Sequence, residues 1–459
     1  MCNLAIISAN ITSLFVGRDR IMGKLPGIHA PHRKNTAKMK GVILPVSPVV
    51  KIPMSMHIGA PAKVLVSVGE EVKVGQPIGE AGGIVSAVIH SSVSGVVKSI
   101  ETTDVATGEV GTFVVINTDG KQMLYEGIKP PLVTNSEGFL KAVRESGIVG
   151  LGGAGFPTVV KLAVEDISKI DYIIVNGAEC EPYITSDTRT MIDDKINLWE
   201  GVRLICKYLN GPKVLIGIES NKPEAIKGLA ELASKEPLAE IRPLPARYPQ
   251  GAEKVLIYNL TGRVVPEGKL PLDVGVIVIN CTTLASIGRY IKTGLPLVKK
   301  CVTVDGSAVR EPKNVIAPVG TPIIDILNFC GGMTESAKKI LLGGPMMGVA
   351  VPSAEAPIKK NTNAILVFDE RDAHLPEEGS CIRCGRCIAS CPFGMMPVEV
   401  QNMYLTERYD LLEQYRPNVC MECGCCTYSC PAGRHLTQYM KLAKVALRDY
   451  QASQKEVAK

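Results

Sequence analysis

Between residues 46 and 118 apolar positions come in short runs broken by glycine, as in Ala62-Lys63-Val64-Leu65-Val66, Glu71-Val72-Lys73-Val74-Gly75-Gln76-Pro77-Ile78 and Gly95-Val96-Val97-Lys98-Ser99-Ile100. Short strands at such regular spacing predict a small all-β barrel or sandwich, assigned to 46–125. The pattern changes over 130–268. Residues 137–146 gather Phe139, Leu140 and Val143 on one helical side, while Asp171-Tyr172-Ile173-Ile174-Val175-Asn176 and Lys213-Val214-Leu215-Ile216-Gly217-Ile218 are nearly unbroken apolar runs. Such runs suit parallel strands buried on both faces, and the alternation predicts a doubly wound α/β domain. Val274-Gly275-Val276-Ile277-Val278-Ile279-Asn280, Cys301-Val302-Thr303-Val304-Asp305-Gly306 and Ile340-Leu341-Leu342-Gly343-Gly344-Pro345 return to β character with single short helices between, which predicts a β-grasp module over 270–350. A linker follows Pro357, and a helical domain is expected over 370–445, with 398–415 read as one helix ended by Arg416-Pro417. The tail from Leu436 onward is helical in pattern but polar, and is expected to fray.

Composition narrows this only a little. A chain of 459 residues exceeds one core and suggests about three domains or more. With 46% hydrophobic and 21% charged residues it is an ordinary water-soluble composition, and 51 basic against 45 acidic residues leaves +6, too dilute to argue for nucleic acid. No stretch reaches the roughly 20 apolar residues of a membrane helix. Residues 4–16 are apolar but short, interrupted by Asn10 and Ser13 and preceded by no basic segment, so a signal peptide is rejected, and Met22 is an equally good start. An N-terminal arm is assigned to 1–45: Pro26, Pro31 and Pro45 with Gly23, Gly27 and Gly41 make 22–45 extended, either wrapped on a neighbour or solvated.

The cysteines change the picture more. Of fifteen, eight occupy repeated positions in two runs, Cys381-Ile382-Arg383-Cys384-Gly385-Arg386-Cys387-Ile388-Ala389-Ser390-Cys391-Pro392 and Cys420-Met421-Glu422-Cys423-Gly424-Cys425-Cys426-Thr427-Tyr428-Ser429-Cys430-Pro431. Each run reads C-x2-C-x2-C-x3-C-P, the bacterial ferredoxin spacing for a 4Fe–4S cluster. Three thiolates can come from one tight loop, and the fourth comes from the other run. Cys381, Cys384, Cys387 and Cys430 are therefore assigned to one cluster, and Cys420, Cys423, Cys426 and Cys391 to the other. Each proline stops the turn and aims its cysteine away from its own loop, and Gly385 and Gly424 let backbone approach sulfide. Zinc knuckles do not repeat three evenly spaced cysteines followed by Cys-Pro, and a disulfide framework needs an oxidising compartment that nothing here marks. Cys425 is read as a non-ligating thiol packed beside its cluster, and the cysteines outside the two runs as scattered reduced thiols.

A second candidate site is Gly150-Leu151-Gly152-Gly153-Ala154-Gly155-Phe156-Pro157-Thr158, where four glycines in six positions make sense if backbone must approach a ligand closely. Free N–H groups ahead of a helix beginning near Val159 would receive a phosphate. Asn176-Gly177-Ala178-Glu179-Cys180-Glu181-Pro182-Tyr183 follows the next strand, at the kind of strand end where open α/β sheets bind ligands. Asn suits a ring edge, and carboxylates suit ribose hydroxyls. In the β-rich region, the wording from Val66 to Gly79 and the Ser-x-Ser-Gly-x-Val of 92–97 resemble biotinyl/lipoyl carrier domains, yet no lysine occurs between Gln76 and Val97, so the carrier chemistry is absent. His57 and His90 there are read as core or surface histidines.

With these motifs quoted, the chain resembles the C subunit of the Rnf complex, which is related to the NADH-oxidising flavin subunit of respiratory complex I. The likeness continues through Gly59-Ala60-Pro61-Ala62, Tyr248-Pro249-Gln250-Gly251-Ala252-Glu253-Lys254, Asn280-Cys281-Thr282-Thr283-Leu284 and Gly343-Gly344-Pro345-Met346-Met347-Gly348, over nearly the whole chain. It departs from the complex I subunit at Leu151, where that family has Arg, at Ala178 and Ala252, which replace acids, and in having two cluster runs.

The resemblance implies a multidomain α/β and α+β fold: a β barrel-sandwich domain, a Rossmann-like FMN domain, a β-grasp (SLBB) domain and a C-terminal α-helical ferredoxin domain with two 4Fe–4S clusters. It implies non-covalent FMN with NAD(H) as substrate. On matched positions Gly152, Gly153, Gly155, Lys161 and Asn176 would hold flavin, Asn280 and Thr283 would lie near its phosphate, Glu179 and Glu181 would sit where the nicotinamide nucleotide enters, Phe156 would cover an aromatic ring, and Glu253 would belong to the same cofactor-binding set. Hydride chemistry moves two electrons and an iron–sulfur cluster one, so flavin is the adaptor and no catalytic triad or general base is expected. The implied role is a peripheral subunit on the cytoplasmic side of the membrane, working with Rnf subunits A, B, D, E and G and indirectly with ferredoxin, and not with nucleic acid. A cobalamin reductase of diol-degrading microcompartments has a similar architecture and is the alternative reading. A relay protein binding no nucleotide is a third.

Overall fold

The computed structural model describes residues 25–104 and 110–457. The expectations for 1–21, including the start at Met22, lie outside them. At the centre is a four-stranded parallel sheet in the order Ala239–Leu244, Lys213–Glu219, Tyr172–Gly177, Val276–Asn280. Successive strand residues point to opposite faces, so the apolar runs feed two cores. Ile173, Val175, Ile216 and Ile279 enter one core with the helices Lys195–Tyr208 and Cys281–Thr293, while Ile174, Leu215 and Val278 enter another with the helix Glu253–Thr261. The chain enters the sheet at Tyr172–Gly177, builds outward through two strands, then returns to the opposite flank. The strand order therefore reverses between Tyr172–Gly177 and Val276–Asn280.

That arrangement corrects the boundary drawn at residue 268–270. The run ending in Asn280 was expected in the β-grasp module, but Val276–Asn280 pairs in parallel with Tyr172–Gly177 and closes the α/β sheet. Four consecutive buried apolar residues, 276–279, fit a strand covered on both faces, not the edge of a half-solvated sheet. The β-grasp sheet proper has six strands, in the order Val42–Ile43, Lys313–Pro318, Lys299–Asp305, Ala364–Asp369, Ala337–Leu342, Val349–Val351. Its first strand comes from the arm and lies parallel to Lys313–Pro318.

The arm is thus not a solvated tail along its described part. Ile28 exchanges two backbone hydrogen bonds with Tyr248, and the buried Lys34 ammonium donates to the carbonyls of Glu179, Glu181 and Ile184. The Thr36 hydroxyl meets that of Thr185, and Asn314 Nδ2 donates to the Thr36 carbonyl, which laces the α/β domain to the β-grasp domain.

The barrel-sandwich packs a sheet of Val49–Pro53, Val110–Thr118, Gly95–Asp104 and Glu71–Val72 against one of Lys63–Val64, Pro77–Glu80 and Ile89–His90, around Ile52, Ile78, Ile89 and Ile116. His90 is buried there, and loss of solvation, helped by nearby Lys360, pushes its imidazole down to about 3.

Two expectations for the helical domain are corrected. Residues 398–415 do not form one helix: Pro397–Leu405 stops where Glu407 turns left-handed (φ 57°), and Tyr409–Leu412 starts a new turn that brings Leu412 into the core. The tail does not simply fray. Leu436–Val457 is a 22-residue helix whose Leu436, Met440, Ala443 and Leu447 recur at helical spacing and are buried against Val400 and Leu412.

Candidate functional site

Both cysteine runs fold into the same local shape. Arg383 (φ 54°) and Gly385 (φ 73°) are left-handed in the first, Glu422 (φ 60°) and Gly424 (φ 82°) in the second. Left-handed residues on either side of the second cysteine curl the backbone inward, so the Arg383 N–H donates to Cys381 Sγ at 3.4 Å and the Glu422 N–H to Cys420 Sγ at 3.3 Å. Each glycine then opens a one-turn helix, Arg386–Ala389 or Cys425–Tyr428, carrying the third cysteine.

Two cavities result. One is lined by Cys381, Cys384, Cys387 and Cys430, with about 1300 Å³ of space partly open to solvent. The other is lined by Cys391, Cys420, Cys423 and Cys426, with about 300 Å³. With Cys425 set aside, each draws three cysteines from one run and the fourth from the other. Among the described residues no trio of His, Cys, Asp or Glu is drawn tightly enough for a single metal ion. A cubane puts each thiolate on a separate iron and spreads them more widely. Burial pushes the Cys420 thiol up to about 12 and Cys426 up to about 11, a loss of solvation that a bound cationic centre would offset. Each donor set, three cysteines of one C-x2-C-x2-C loop and the Cys-Pro cysteine of the other, fits an iron–sulfur cluster. Cys425 is fully buried and lines the second cavity beside Cys423, with which it shares a side-chain hydrogen bond.

The second assembly lies where the α/β strand order reverses, the position at which such sheets bind ligands. Asn176 and Asn280 end the two strands there and are register partners. Asn176 Nδ2 donates to the Gly251 carbonyl at 2.9 Å, and Asn280 Nδ2 donates to Asp187 at 2.7 Å. Asn280 also caps the helix Cys281–Thr293 by accepting from the Thr283 N–H. The glycine loop closes over this end: the Gly150 N–H reaches the Phe156 carbonyl at 2.8 Å, and the Leu151 N–H reaches Thr283 Oγ1 at 2.8 Å. A Cβ on Gly152 would stand 3.2 Å from the Asn280 amide, whereas one on Gly153 (φ 138°) would meet nothing within 4 Å. Gly152 is glycine because protein lies behind it, and Gly153 faces open space. Lys161 Nζ donates to Glu253 and to the Val278 carbonyl, both at 3.0 Å. Glycines, side-chain amides, an ammonium and a helix start converge here, and their chemistry suits an anionic ligand such as FMN.

Three expectations need correction. The helix after the glycine loop, Thr158–Leu162, has five residues and little dipole, whereas the thirteen-residue Cys281–Thr293 supplies the stronger helix start at the crevice. Glu179 does not stand open at a nucleotide entrance: it is buried and accepts from the Asp187 and Thr188 N–H groups and the Thr188 hydroxyl at the start of Ser186–Asp193. Glu181 is likewise engaged, accepting from the Met346 and Met347 N–H groups at 3.0 and 2.9 Å. Glu253, 40% exposed at its side chain, is held by the Lys161 ammonium at 3.0 Å.

Sequence reasoning also missed residues from other domains. Asn361 Nδ2 donates to the Gly153 carbonyl at 2.5 Å, Ile58 N–H to the Gly155 carbonyl at 3.1 Å, and the buried Lys360 ammonium to the carbonyls of Val88 and Gly147. The supposed linker after Pro357 is therefore a strap against the glycine loop. Its one available signal was a run of five polar residues, Lys359, Lys360, Asn361, Thr362 and Asn363, directly ahead of a buried strand.

A switch-point crevice of this make-up joined in one chain to two four-thiol cavities defines an iron–sulfur flavoprotein of the electron-transfer class. Residues 24–121 match the family model described as the RnfC barrel sandwich hybrid domain, 143–289 the Nuo51 FMN-binding domain, 301–350 the SLBB domain and 380–434 the 4Fe-4S dicluster domain. The chain is 43% identical over 379 residues to the C subunit of the proton-translocating ferredoxin:NAD(+) oxidoreductase complex of Clostridium ljungdahlii, covering 81% of this chain and 82% of that one. It is 39% identical over 391 residues to the C subunit of the Na(+)-translocating ferredoxin:NAD(+) oxidoreductase complex of Acetobacterium woodii, covering 84% and 88%. Against the C subunit of the ion-translocating oxidoreductase complex of Pseudomonas aeruginosa it is 39% identical over 79% of this chain and 47% of the longer relative. The chain belongs to the family of C subunits of Rnf-type ion-translocating oxidoreductase complexes.

Proposed function

We propose that this chain is the NAD(H)-reactive flavin and iron–sulfur subunit of a membrane-bound Rnf-type complex, passing electrons between NAD(H), FMN and two 4Fe–4S clusters. The observation that carries this reading is the coexistence of the switch-point crevice with two cavities that each draw cysteines from both runs. FMN, when bound, supplies the exchange between a two-electron hydride and single electrons. The chain's own residues do the rest. Gly152 and Gly153 give close backbone approach, Lys161 brings positive charge, and Asn176, Asn280 and Thr283 offer oriented polar groups. Gly155 holds the loop against Asn361 and residue 56, and Phe156, half-buried, stands ready to cover a ring. Glu253 is the acid placed to meet nucleotide hydroxyls. Glu179 and Glu181 serve instead to fix the loop that carries them.

Among the described residues no helix is long and apolar enough to cross a membrane. Peripheral attachment on the cytoplasmic side, through subunits such as A, B, D, E and G, and coupling to ferredoxin and to Na+ or H+ movement, complete the proposal. The relatives reported above carry the ion-translocating name and lend no support to a cobalamin reductase. The test is cofactor analysis of anaerobically purified chain: about eight irons, the number two four-iron clusters require, with one FMN. A flavin-free protein that keeps its iron would support the relay reading instead.

A further inference from the structure

Tyr248 is only 2% exposed, although it sits in a loop between a strand and a helix. A buried phenol needs a partner, and its hydroxyl donates to the Cys423 carbonyl at 2.7 Å. Around it Ile28, Cys423 and Cys425 are buried together, with Cys180, Met346 and Met421 packed on them. The same loop reaches the crevice. Three residues on, the Gly251 carbonyl accepts from Asn176, and the Gly251 N–H donates to Cys180 Sγ at 3.3 Å. A second contact lies beside it: a Cβ on Gly424 would stand 3.1 Å from the Met346 carbonyl, and Glu181 holds the Met346 and Met347 amides in place. The first cysteine run presents the opposite picture, with Cys381 and Cys384 exposed and Ile382 between them 67% exposed.

We propose that Tyr248 is a positioning residue that seats the 420–426 loop on the α/β domain, so that the cavity of Cys391, Cys420, Cys423 and Cys426 is the one turned to the crevice and that of Cys381, Cys384, Cys387 and Cys430 is the outward one. The proposal rests on the reading of these cavities as cluster sites. Hydrogen bonding and solvent exposure around the ligands set a cluster's potential. A hydroxyl donated to the carbonyl of a ligand cysteine withdraws electron density and favours the reduced, more negative cluster. Removing it disfavours reduction of that cluster alone.

The experiment is an EPR-monitored redox titration of the full chain, anaerobically prepared. Cys387→Ser first identifies the two signals, because only the cluster of Cys391, Cys420, Cys423 and Cys426 should survive in it. Tyr248→Phe then keeps the ring and deletes the donor. The expected result is a downward shift of the surviving signal, up to about tenfold in its reduction equilibrium or about 59 mV for one electron, with the other signal unmoved. Loss of that one signal alone supports the proposal equally. Ile28→Ala, which thins the same seat from the arm side, should act on the same signal. Equal shifts in both, a shift in the outward cluster only, or no shift in either variant overturns it. A wild-type chain with no cluster signals would instead defeat the cluster reading itself.

Discussion

Replacing Gly153 separates backbone strain from ligand blocking. At φ 138° this position lies in a region that L residues rarely occupy, and any side chain there carries a penalty of about 1–3 kcal/mol. No protein atom lies within 4 Å of the added Cβ, so no clash adds to it. Gly153→Ala and Gly153→Leu share the strain and differ in bulk directed into the open space. Both should lower the melting temperature by a few degrees, at roughly 2–4 °C per kcal/mol for a domain of this size. Only leucine should also collide with a flavin, and overpacking costs about 1–3 kcal/mol more. FMN affinity, measured by fluorescence quenching on flavin-depleted chain, should therefore fall about tenfold or more from alanine to leucine, since about 1.4 kcal/mol is tenfold. Iron content should stay unchanged in both. Equal FMN affinity in the two variants, with the chain folded, would refute the placement of flavin in front of the glycine loop.

Further outcomes test the other parts. Cys430→Ser and Cys387→Ser should abolish the same EPR signal, and Cys391→Ser the other, because each cavity borrows one cysteine from the opposite run; pairing of Cys430 with Cys426 in effect would contradict the assignment. Lys161→Met should weaken FMN binding about tenfold to a hundredfold, the range for a hydrogen bond to a charged group, while altering stability by less than about 1 kcal/mol, because its Glu253 partner is partly solvated. Burial pushes the Glu181 carboxyl up to about 7, with the Met346 and Met347 amides only partly opposing it. The folded state then holds this proton more tightly than the unfolded chain, whose ordinary value is 4.5. The stabilisation is full below that value and is lost as pH rises through about 7. Thermal melts should accordingly decline for wild type between these pH values and run flatter for Glu181→Gln; parallel curves would contradict the shift.

What was legible in the sequence was whatever physical chemistry writes into neighbouring residues. The C-x2-C-x2-C-x3-C-P spacing names the cluster cysteines because a cubane dictates the loop, and the glycines of 150–155 announce close approach, with Asn280 behind Gly152 and positive φ at Gly153 and Gly155. Unbroken apolar runs disclosed parallel strands. Less visible was anything decided by contacts across domains. Glu179 and Glu181 read as strand-end acids open to a nucleotide, yet the start of Ser186–Asp193 engages the first and the Met346–Met347 amides, distant in sequence, engage the second. Val276–Asn280 looked like the first strand of the next domain because local pattern does not say which sheet a strand joins. Asn361 and Ile58 reach the glycine loop from separate domains. The last helix looked polar overall because its apolar stripe is narrow, one residue in every three or four.

The most direct measurement is anaerobic addition of NADH to the purified chain while flavin absorbance and both cluster EPR signals are followed, alongside flavin-depleted chain. The account predicts bleaching of the flavin and NADH-driven reduction of the cluster signals in the first sample, with no cluster reduction by NADH in the second. Clusters that NADH reduces equally well without flavin, or a flavin that NADH leaves unbleached, would contradict it.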